Sequence, residues 1–179
     1  ARTGAVLLHF SGGGEPLLNR YTQEALLAAQ ATKRLKVALS TNGSLLTPAV
    51  AEQVDYIRVS LNAGTPERHK ATNHGGDPLH PGDWDKIIEN IRESVKFKRQ
   101  DFGLGFVVDY ENYKDIVPFC ALAASIPGID FVHIRPAFYY DHAQDAETRQ
   151  HMRDVYDQCE MARHKFGDKV PIYAITEKF

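Results

Sequence analysis

The glycine-rich turn at residues 11–16 is the first place where residue types and spacing suggest chemistry. It reads Ser-Gly-Gly-Gly-Glu-Pro and follows a short apolar run. Glycines at the end of a strand let a ligand approach backbone atoms that a Cβ would shield. The turn lacks both the Lys-Ser/Thr of a Walker loop and the glycine spacing of a dinucleotide fold. Glu15 would repel a phosphate but suits a ligand with an ammonium group, while a plain tight turn stays open as the alternative.

Two later segments place polar side chains on one face of a predicted strand. In residues 56–62 the polar positions, which alternate with apolar ones, are Tyr56, Arg58, Ser60 and Asn62. In residues 131–135, His133 and Arg135 alternate with apolar residues in the same way. Parallel strands are normally buried on both faces, so these polar faces predict a wet, functional interior. Arg135 suits a bidentate carboxylate contact, and a structural arginine bonded to loop carbonyls is the alternative.

Composition narrows the class of protein. The 179 residues are 43% hydrophobic and 25% charged, which predicts one compact domain over residues 1–179. A formal net charge of -2 gives no basic surplus, so we expect no nucleic-acid partner. The sequence holds no 18-residue apolar run and no signal peptide, and we expect a soluble, cytoplasmic protein without a membrane partner. Cys120 and Cys159 are too few for a disulfide framework and are predicted to be buried, reduced thiols.

The elements that must position these residues alternate between strands and helices. Apolar runs predict strands at 5–10, 36–40, 56–61, 103–108, 131–135 and 170–175. Helical spacing predicts helices at about 22–33, 48–53, 83–98 and 146–165, with a further helix carrying Ile116, Phe119, Cys120 and Ala123. We expect Met152, Val155, Tyr156 and Cys159 on the inner face of the last helix. This alternation is typical of a parallel α/β sheet, here a partial (β/α)6-type TIM barrel.

Three strand-end turns, taken together, resemble the radical S-adenosylmethionine (SAM) superfamily. They are Gly13-Gly14-Glu15-Pro16, Ser40-Thr41-Asn42-Gly43 and Val59-Ser60-Leu61-Asn62. The resemblance implies that Glu15 and nearby carbonyls receive the amino group of SAM. It further implies that Thr41 lies near the methionine carboxylate, and that Ser60 contacts the carboxylate or the ribose.

The resemblance extends over residues 6–138. Residues 106–112, which include Val107, and residues 131–136, which include Arg135, resemble the family strands that border the adenine. The match is closest to the branch that includes the GTP cyclase of molybdenum-cofactor synthesis and the SPASM-type peptide and sugar modifiers. Asn62 stands where the family usually has Asp, which removes a charge from the ribose side.

The family's cluster loop, Cys-x-x-x-Cys-x-x-Cys, is expected upstream of Ala1, so the first family strand and that loop would be missing. The implied cofactors are SAM and a 4Fe–4S cluster whose ligands are not in this chain, and we expect no metal ligand here. In the family, the reduced cluster cleaves SAM to a 5′-deoxyadenosyl radical that removes hydrogen from a substrate. We expect a small-molecule or peptide substrate, and the sequence does not identify a catalytic residue. We also expect the isolated chain to be inactive and to self-associate through an uncovered apolar edge.

Two other functions stay open. One is a binding module that holds SAM or a nucleotide without redox chemistry, which the presence or absence of upstream cysteines would decide. The other is an unrelated α/β enzyme that binds a metal through His69, His74 and His80. We interpret these three histidines as part of a solvated loop, because no Asp/Glu–His helical spacing accompanies them.

Overall fold

The computed structural model describes residues 4–72, 83–137 and 146–174. The strands are β1 (Leu7–Phe10), β2 (Lys36–Thr41), β3 (Tyr56–Ser60), β4 (Asp101–Val108), β5 (Phe131–Pro136) and β6 (Ile172–Ala174). The helices are α1 (Thr22–Ala31), α2 (Pro48–Ala51), α3 (Pro66–Thr72), α4 (Trp84–Ser94), α5 (Ile116–Ser125) and α6 (Ala146–Phe166). Short 3-10 turns span Pro16–Leu18, Val95–Phe97 and Tyr113–Asp115.

The six strands form one sheet in chain order, from β1 to β6. The register is parallel between β1 and β2, between β2 and β3, and between β5 and β6. Helical structure stands between each pair of consecutive strands in the chain. Two helices, α3 and α4, stand between β3 and β4. The predicted α/β fold with parallel strands is confirmed.

Backbone conformation explains several differences from the predicted element ends. The first helix ends at Ala31 instead of residue 33, because Lys33 adopts a left-handed φ of 52° that a helix cannot include. β3 ends at Ser60 because Asn62 has a φ of 55°. β4 begins two residues earlier than predicted, where the Asp101 N–H donates to the Asp55 carbonyl at 3.0 Å.

One predicted core position is wrong. Met152, Val155 and Cys159 are buried in α6, as expected, but Tyr156 is 48% exposed. The buried stripe continues at Ala162, so it follows the spacing i, i+3, i+7, i+10. Tyr156 follows Val155 in the chain but falls outside this stripe.

The chain divides into two compact units, residues 1–60 with 76–103 and residues 61–75 with 104–179. In the first unit, β2 and β3 supply fully buried apolar residues, among them Leu39, Ile57 and Val59. Ile87 and Ile91 form an apolar stripe of α4 and are also buried, four residues apart on one face of the helix. The Thr47 hydroxyl accepts from the Val50 N–H at 3.3 Å and caps α2.

In the second unit, α5 packs against α6. The rings of Phe106 and Phe119 are 4.9 Å apart in its core. Cys120 and Cys159 are buried as predicted. Burial raises the pKa of Cys120 to about 12 and that of Cys159 to about 11, so both thiols stay protonated at neutral pH. The prediction of a single domain stays a prediction.

Within the described parts of the chain, no helix has both the length and the apolar character that crossing a membrane requires.

Candidate functional site

Glu15 connects the first two strand-end turns. It precedes the 3-10 turn Pro16–Leu18 as its N-cap, and Oε1 accepts from the Leu17 N–H at 3.0 Å. The Thr41 hydroxyl donates to the same oxygen at 2.7 Å, and the Asn42 N–H donates to Oε2 at 2.6 Å. Two turns that lie 26 residues apart in the chain therefore meet at one half-buried carboxylate.

The Glu15 carboxylate keeps room for a further partner. An ionised carboxylate offers about four acceptor sites. Leu17, Thr41 and Asn42 together occupy three of them, two on Oε1 and one on Oε2. Oε2 can therefore accept one more donor, such as an ammonium group, without losing the bonds that fix the side chain.

The second turn is held from both sides. Thr41 is only 2% exposed, and its hydroxyl accepts from the Gly43 N–H at 3.1 Å. Gly43 has a φ of 85°, which favours glycine. Asn42 accepts from the N–H and the hydroxyl of Ser44 at 2.9 and 2.7 Å. The Asn90 amide of α4 donates to the carbonyls of Gly43 and Ser44 at 3.0 and 2.9 Å. Sequence reasoning missed Asn90, whose only signal was a polar residue beside the apolar stripe of α4.

The glycine run before Glu15 leaves space for a ligand. A Cβ added at Gly12, Gly13 or Gly14 would meet no heavy atom within 4 Å. These glycines are therefore not required by packing in the first unit, and their backbone is open to close approach. Pro16 is half-buried, and its carbonyl accepts from the Thr22 hydroxyl at 2.6 Å, which ties the turn to α1.

The polar strand face predicted from residues 56–62 is present in the first unit up to Ser60, whereas its predicted member Asn62 lies beyond the end of β3 with a left-handed φ of 55°. Tyr56, Arg58 and Ser60 are half-buried, and they alternate with the buried Ile57 and Val59. Ser60 shares the face of Arg58. Thr41 is in register with Val59, so the Thr41 side chain lies on the face of the sheet opposite to the Ser60 side chain. Both residues stand at the ends of their strands, β2 and β3.

This face extends across β1 and β2. His9 is in register with Ala38, and Ser40 is in register with Arg58. Nε2 of the exposed His9 lies 2.9 Å from the Ser40 hydroxyl. Burial, and to a lesser degree the charge of Arg58, lowers the pKa of His9. Sequence reasoning passed over His9, although it alternates with the apolar Leu8 and Phe10, and it named Ser40 only as part of the second strand-end turn.

Asn62 and Val107 lie in the second unit and contact each other. Oδ1 of Asn62 accepts from the Val107 N–H at 2.9 Å. The Asn112 amide donates to the Val107 carbonyl at 2.9 Å, while its oxygen accepts from the Asp109 N–H at 2.8 Å. These bonds fix the chain where β4 ends. The ligand roles of Asn62 and Val107 stay predictions.

Arg135 is exposed near the end of β5, in the second unit. On the same strand face, the His133 ring is 4.8 Å from the Phe131 ring and 5.5 Å from the Tyr173 ring of β6. The alternation predicted for β5 is therefore present, with Val132 and Ile134 buried on the other face.

The described residues contain no group of three or more metal-binding side chains. His69 is buried in α3, whereas His74 and His80 lie outside the described residues. A cluster needs three converging thiolates, but this chain has two cysteines, both buried and protonated. The residues of this chain therefore do not fit the ligand set of an iron–sulfur cluster.

Comparison with known families assigns the chain to a class. A model of the Radical SAM superfamily matches residues 1–123, which is more than half of the chain. The chain belongs to this superfamily, as the three strand-end turns predicted. Membership implies SAM and a 4Fe–4S cluster as cofactors. The fixed carboxylate of Glu15 and the open glycine backbone fit the amino-acid end of SAM.

Among curated proteins, the chain is similar to a probable GTP 3',8-cyclase of Sulfolobus acidocaldarius, with 29% identity over 88% of this chain and 54% of the relative. A probable GTP 3',8-cyclase of Saccharolobus islandicus strain L.S.2.15 is 29% identical over 68% of this chain and 39% of the relative. The chain thus spans about half the length, or less, of these relatives.

Solved structures share the fold. A structure of TYW1 with a lysine-pyruvate adduct bound has a TM-score of 0.64 at 18% identity, over 89% of this chain and 50% of that one. Streptococcus suis SuiB has a TM-score of 0.62 at 14% identity, over 95% and 38%. A radical SAM methyltransferase from Sphaerobacter thermophilus has a TM-score of 0.60 at 14% identity, over 93% and 50%.

Proposed function

We propose that this chain is the SAM-binding core of an enzyme that cleaves SAM reductively and abstracts hydrogen from a small-molecule or peptide substrate. The carboxylate of Glu15 carries this proposal, because two turns fix it and one of its acceptor positions is left for a ligand ammonium group. Family membership supports the cofactor, since radical SAM proteins obtain their reactive 5′-deoxyadenosyl group from SAM.

The residues of the first unit have binding and positioning roles in this proposal. Oε2 of Glu15 accepts from the ammonium group of SAM. Thr41 and Asn42 hold the carboxylate in place through the bonds at 2.7 and 2.6 Å. The open backbone of residues 12–14 lies against the ligand, where any side chain would take up ligand space. Asn90 keeps the second turn in position from α4.

The test is a titration of the 179-residue chain with SAM, followed by NMR through the backbone amide of Asn42. That amide donates to Glu15, so an ammonium group on the same carboxylate shifts its signal. We expect Glu15→Gln to weaken SAM binding on the order of tenfold or more, because a charge-assisted hydrogen bond is lost. The matched control is Glu24→Gln, an exposed carboxylate of α1.

A second ligand separates the amino-acid end of SAM from its nucleoside end. Methylthioadenosine has no ammonium group, so Glu15→Gln should leave its affinity unchanged. Equal weakening of both ligands would mean that the substitution damages the fold. Unchanged binding of SAM by Glu15→Gln would refute the proposed role of this carboxylate.

GTP is the first substrate candidate to test, because the two curated relatives are both named as probable GTP 3',8-cyclases. Calorimetric titration of the chain with GTP, with ATP as the control, measures this directly. We expect preferential binding of GTP. Equal or absent binding of both nucleotides would count against it.

A further inference from the structure

Asn90 connects helix α4 to the second strand-end turn through one side-chain amide. Its Nδ2 donates to the carbonyl of Gly43 at 3.0 Å and to the carbonyl of Ser44 at 2.9 Å. A carbonyl oxygen only accepts, so the half-buried amide must present both of its N–H groups to the turn. These partners are 47 and 46 residues away in the chain, within the same compact unit.

Close packing joins the turn to α4 as well. A Cβ added at Gly43 would lie 2.9 Å from Cγ1 of Val59 and 3.2 Å from Cγ2 of Ile87. Ile87 stands three residues before Asn90, so both side chains lie on the same side of α4. The helix therefore meets the turn with an apolar and a polar group about one helical turn apart. Because packed groups leave little free space, a displacement of α4 also displaces the turn.

The peptide unit between Gly43 and Ser44 carries this connection towards Glu15. Its carbonyl accepts from Asn90, and its N–H donates to Oδ1 of Asn42 at 2.9 Å. The Asn42 N–H in turn donates to Oε2 of Glu15 at 2.6 Å. Asn90 thus orients a peptide that holds Asn42, and Asn42 holds the carboxylate oxygen proposed to accept from the ammonium group.

A second connection runs through Thr41. The Gly43 N–H donates to its hydroxyl oxygen at 3.1 Å, and the hydroxyl hydrogen is directed to Oε1 of Glu15 at 2.7 Å. Hydrogen bonds in series polarise and strengthen one another. Removal of the Asn90 amide would take the donor away from the carbonyls of the turn in which both connections begin.

We propose that Asn90 is a positioning residue for the ammonium end of SAM, and that through it helix α4 responds to SAM binding. The inference rests on the proposed function, because it takes Oε2 of Glu15 as the acceptor of the ammonium group. Asn90 acts through the turn and does not itself bind SAM. Couplings between binding and structure are reciprocal, so a helix that holds the carboxylate in place is stabilised by a ligand on that carboxylate.

The first measurement needs no variant. Amide hydrogen exchange of α4 is compared in the 179-residue chain alone, with saturating SAM and with saturating methylthioadenosine, which lacks the ammonium group. We expect SAM to slow the exchange of the α4 amides severalfold and methylthioadenosine to leave it unchanged. Equal protection by both ligands, or no protection by SAM, would overturn the coupling.

Asn90→Ala tests the residue itself. We expect its affinity for SAM to fall on the order of tenfold, with an unchanged affinity for methylthioadenosine. A purely structural role would weaken both ligands alike, so the ratio of the two affinities is the decisive readout. Asn90→Gln keeps the amide and should recover part of the SAM affinity. An unchanged affinity for SAM in Asn90→Ala would refute the role of this residue.

The matched control is Glu89→Gln, which changes the residue next to Asn90 on α4. Its exposed carboxylate pairs with Lys86 at 2.8 Å on the helix surface. This variant should keep both affinities and the protection of α4 by SAM. A loss of SAM affinity equal to that of Asn90→Ala would show that any change in α4 has this effect, and would overturn the assignment to Asn90.

The Asn42 amide signal keeps the two proposals apart. SAM binding reported at Asn42 without a response of α4 removes the coupling alone, whereas no binding of SAM removes the proposed function and the coupling with it. A double variant tests the route through Glu15. In the Glu15→Gln background, Asn90→Ala should weaken SAM binding much less than it does alone, and fully additive losses would contradict that route.

Discussion

Cys120 and Cys159 show how burial alone sets the chemistry of a residue. Both thiols lie in the core of the second unit, and burial raises their pKa from 9.0 to about 12 and about 11. A thiolate is the nucleophile in alkylation and disulfide exchange, so protonated, buried thiols are inert.

We predict that neither cysteine is alkylated in the folded chain below pH 9, while both react in denaturant. Between pH 9 and the folded-state pKa, the unfolded chain releases the thiol proton and the folded chain keeps it. The free energy of unfolding therefore falls as pH rises, by about 1.4 kcal/mol per pH unit for each thiol. Urea denaturation on both sides of pH 9 measures this slope. Cys120→Ala should have a smaller slope, and an equal slope would contradict the assignment to this thiol.

At the residue scale, sequence motifs predicted which residues stand at the strand ends, but not what each one contacts. Glu15 and Thr41 were expected to reach different parts of one ligand. In the structure, the Thr41 hydroxyl donates to Glu15, so Thr41 acts as a support for that carboxylate. Hydrogen bonds between turns far apart in the chain depend on tertiary geometry, which no local pattern encodes.

At the element scale, Gly64 shows how closely a loop and a helix approach in the second unit. A Cβ at Gly64 would overlap the backbone of Phe119 and lie 2.6 Å from the carbonyl carbon of Pro118 in α5. The Gly64 N–H also donates to the carboxylate of Asp115, directly before that helix. Only a residue without a side chain permits this approach.

We predict that Gly64→Ala destabilises the chain by about 1–3 kcal/mol or more, because backbone atoms cannot move aside as a side chain can. Gly12→Ala is the matched control. An added Cβ at Gly12 meets open space, so we expect a change within about 1 kcal/mol. Urea denaturation of both variants gives the two free energies of unfolding. Similar values for them would contradict the close approach at Gly64.

Helix and strand identity could be predicted where apolar spacing is regular, as it is with a 3.6-residue period in α4 and a 2-residue period in β3. Element ends could not, since they depend on single backbone angles. Lys33 and Asn62 adopt left-handed φ values of 52° and 55° although neither residue is a glycine, so no glycine in the sequence indicated these angles. Tyr156 shows that the buried face of a helix is subject to the same limit. The width of the buried apolar stripe depends on what packs against the helix, which the spacing alone does not show.

At the scale of the whole molecule, β1 presents an apolar surface. Val6, Leu7 and Leu8 are 74%, 52% and 40% exposed. Within the described residues, β1 stands at the end of the strand order and pairs with β2. A strand with an exposed apolar side and open backbone groups is a template for another strand.

We predict that the chain self-associates with rising concentration, and that Leu7→Lys reduces this association because a charge opposes strand pairing. Leu27→Lys is the control, since Leu27 is similarly exposed at 50% but lies on α1. Sedimentation velocity measures both variants. A monodisperse monomer at every concentration, or an equal effect of the two substitutions, would disprove this role of β1.

We further predict that the 179-residue chain does not cleave SAM after reconstitution with iron and sulfide and reduction with dithionite. Three thiolates are needed to hold a radical SAM cluster, and this chain has two buried cysteines. Chromatography of the products measures 5′-deoxyadenosine. Formation of this product at rates typical of enzymes would show that our account of the cluster ligands is wrong.

The bonds from Thr41 and Asn42 to Glu15 have a consequence for dynamics. One carboxylate fastens two loops to each other, so a cation that stiffens Glu15 stiffens both loops at once. The amide protons of Asn42 and Leu17 should then exchange with deuterium more slowly together, although they belong to distant stretches of chain. A ligand that contacts only the Glu15 side chain would in this way restrain the loops that follow two neighbouring strands, β1 and β2.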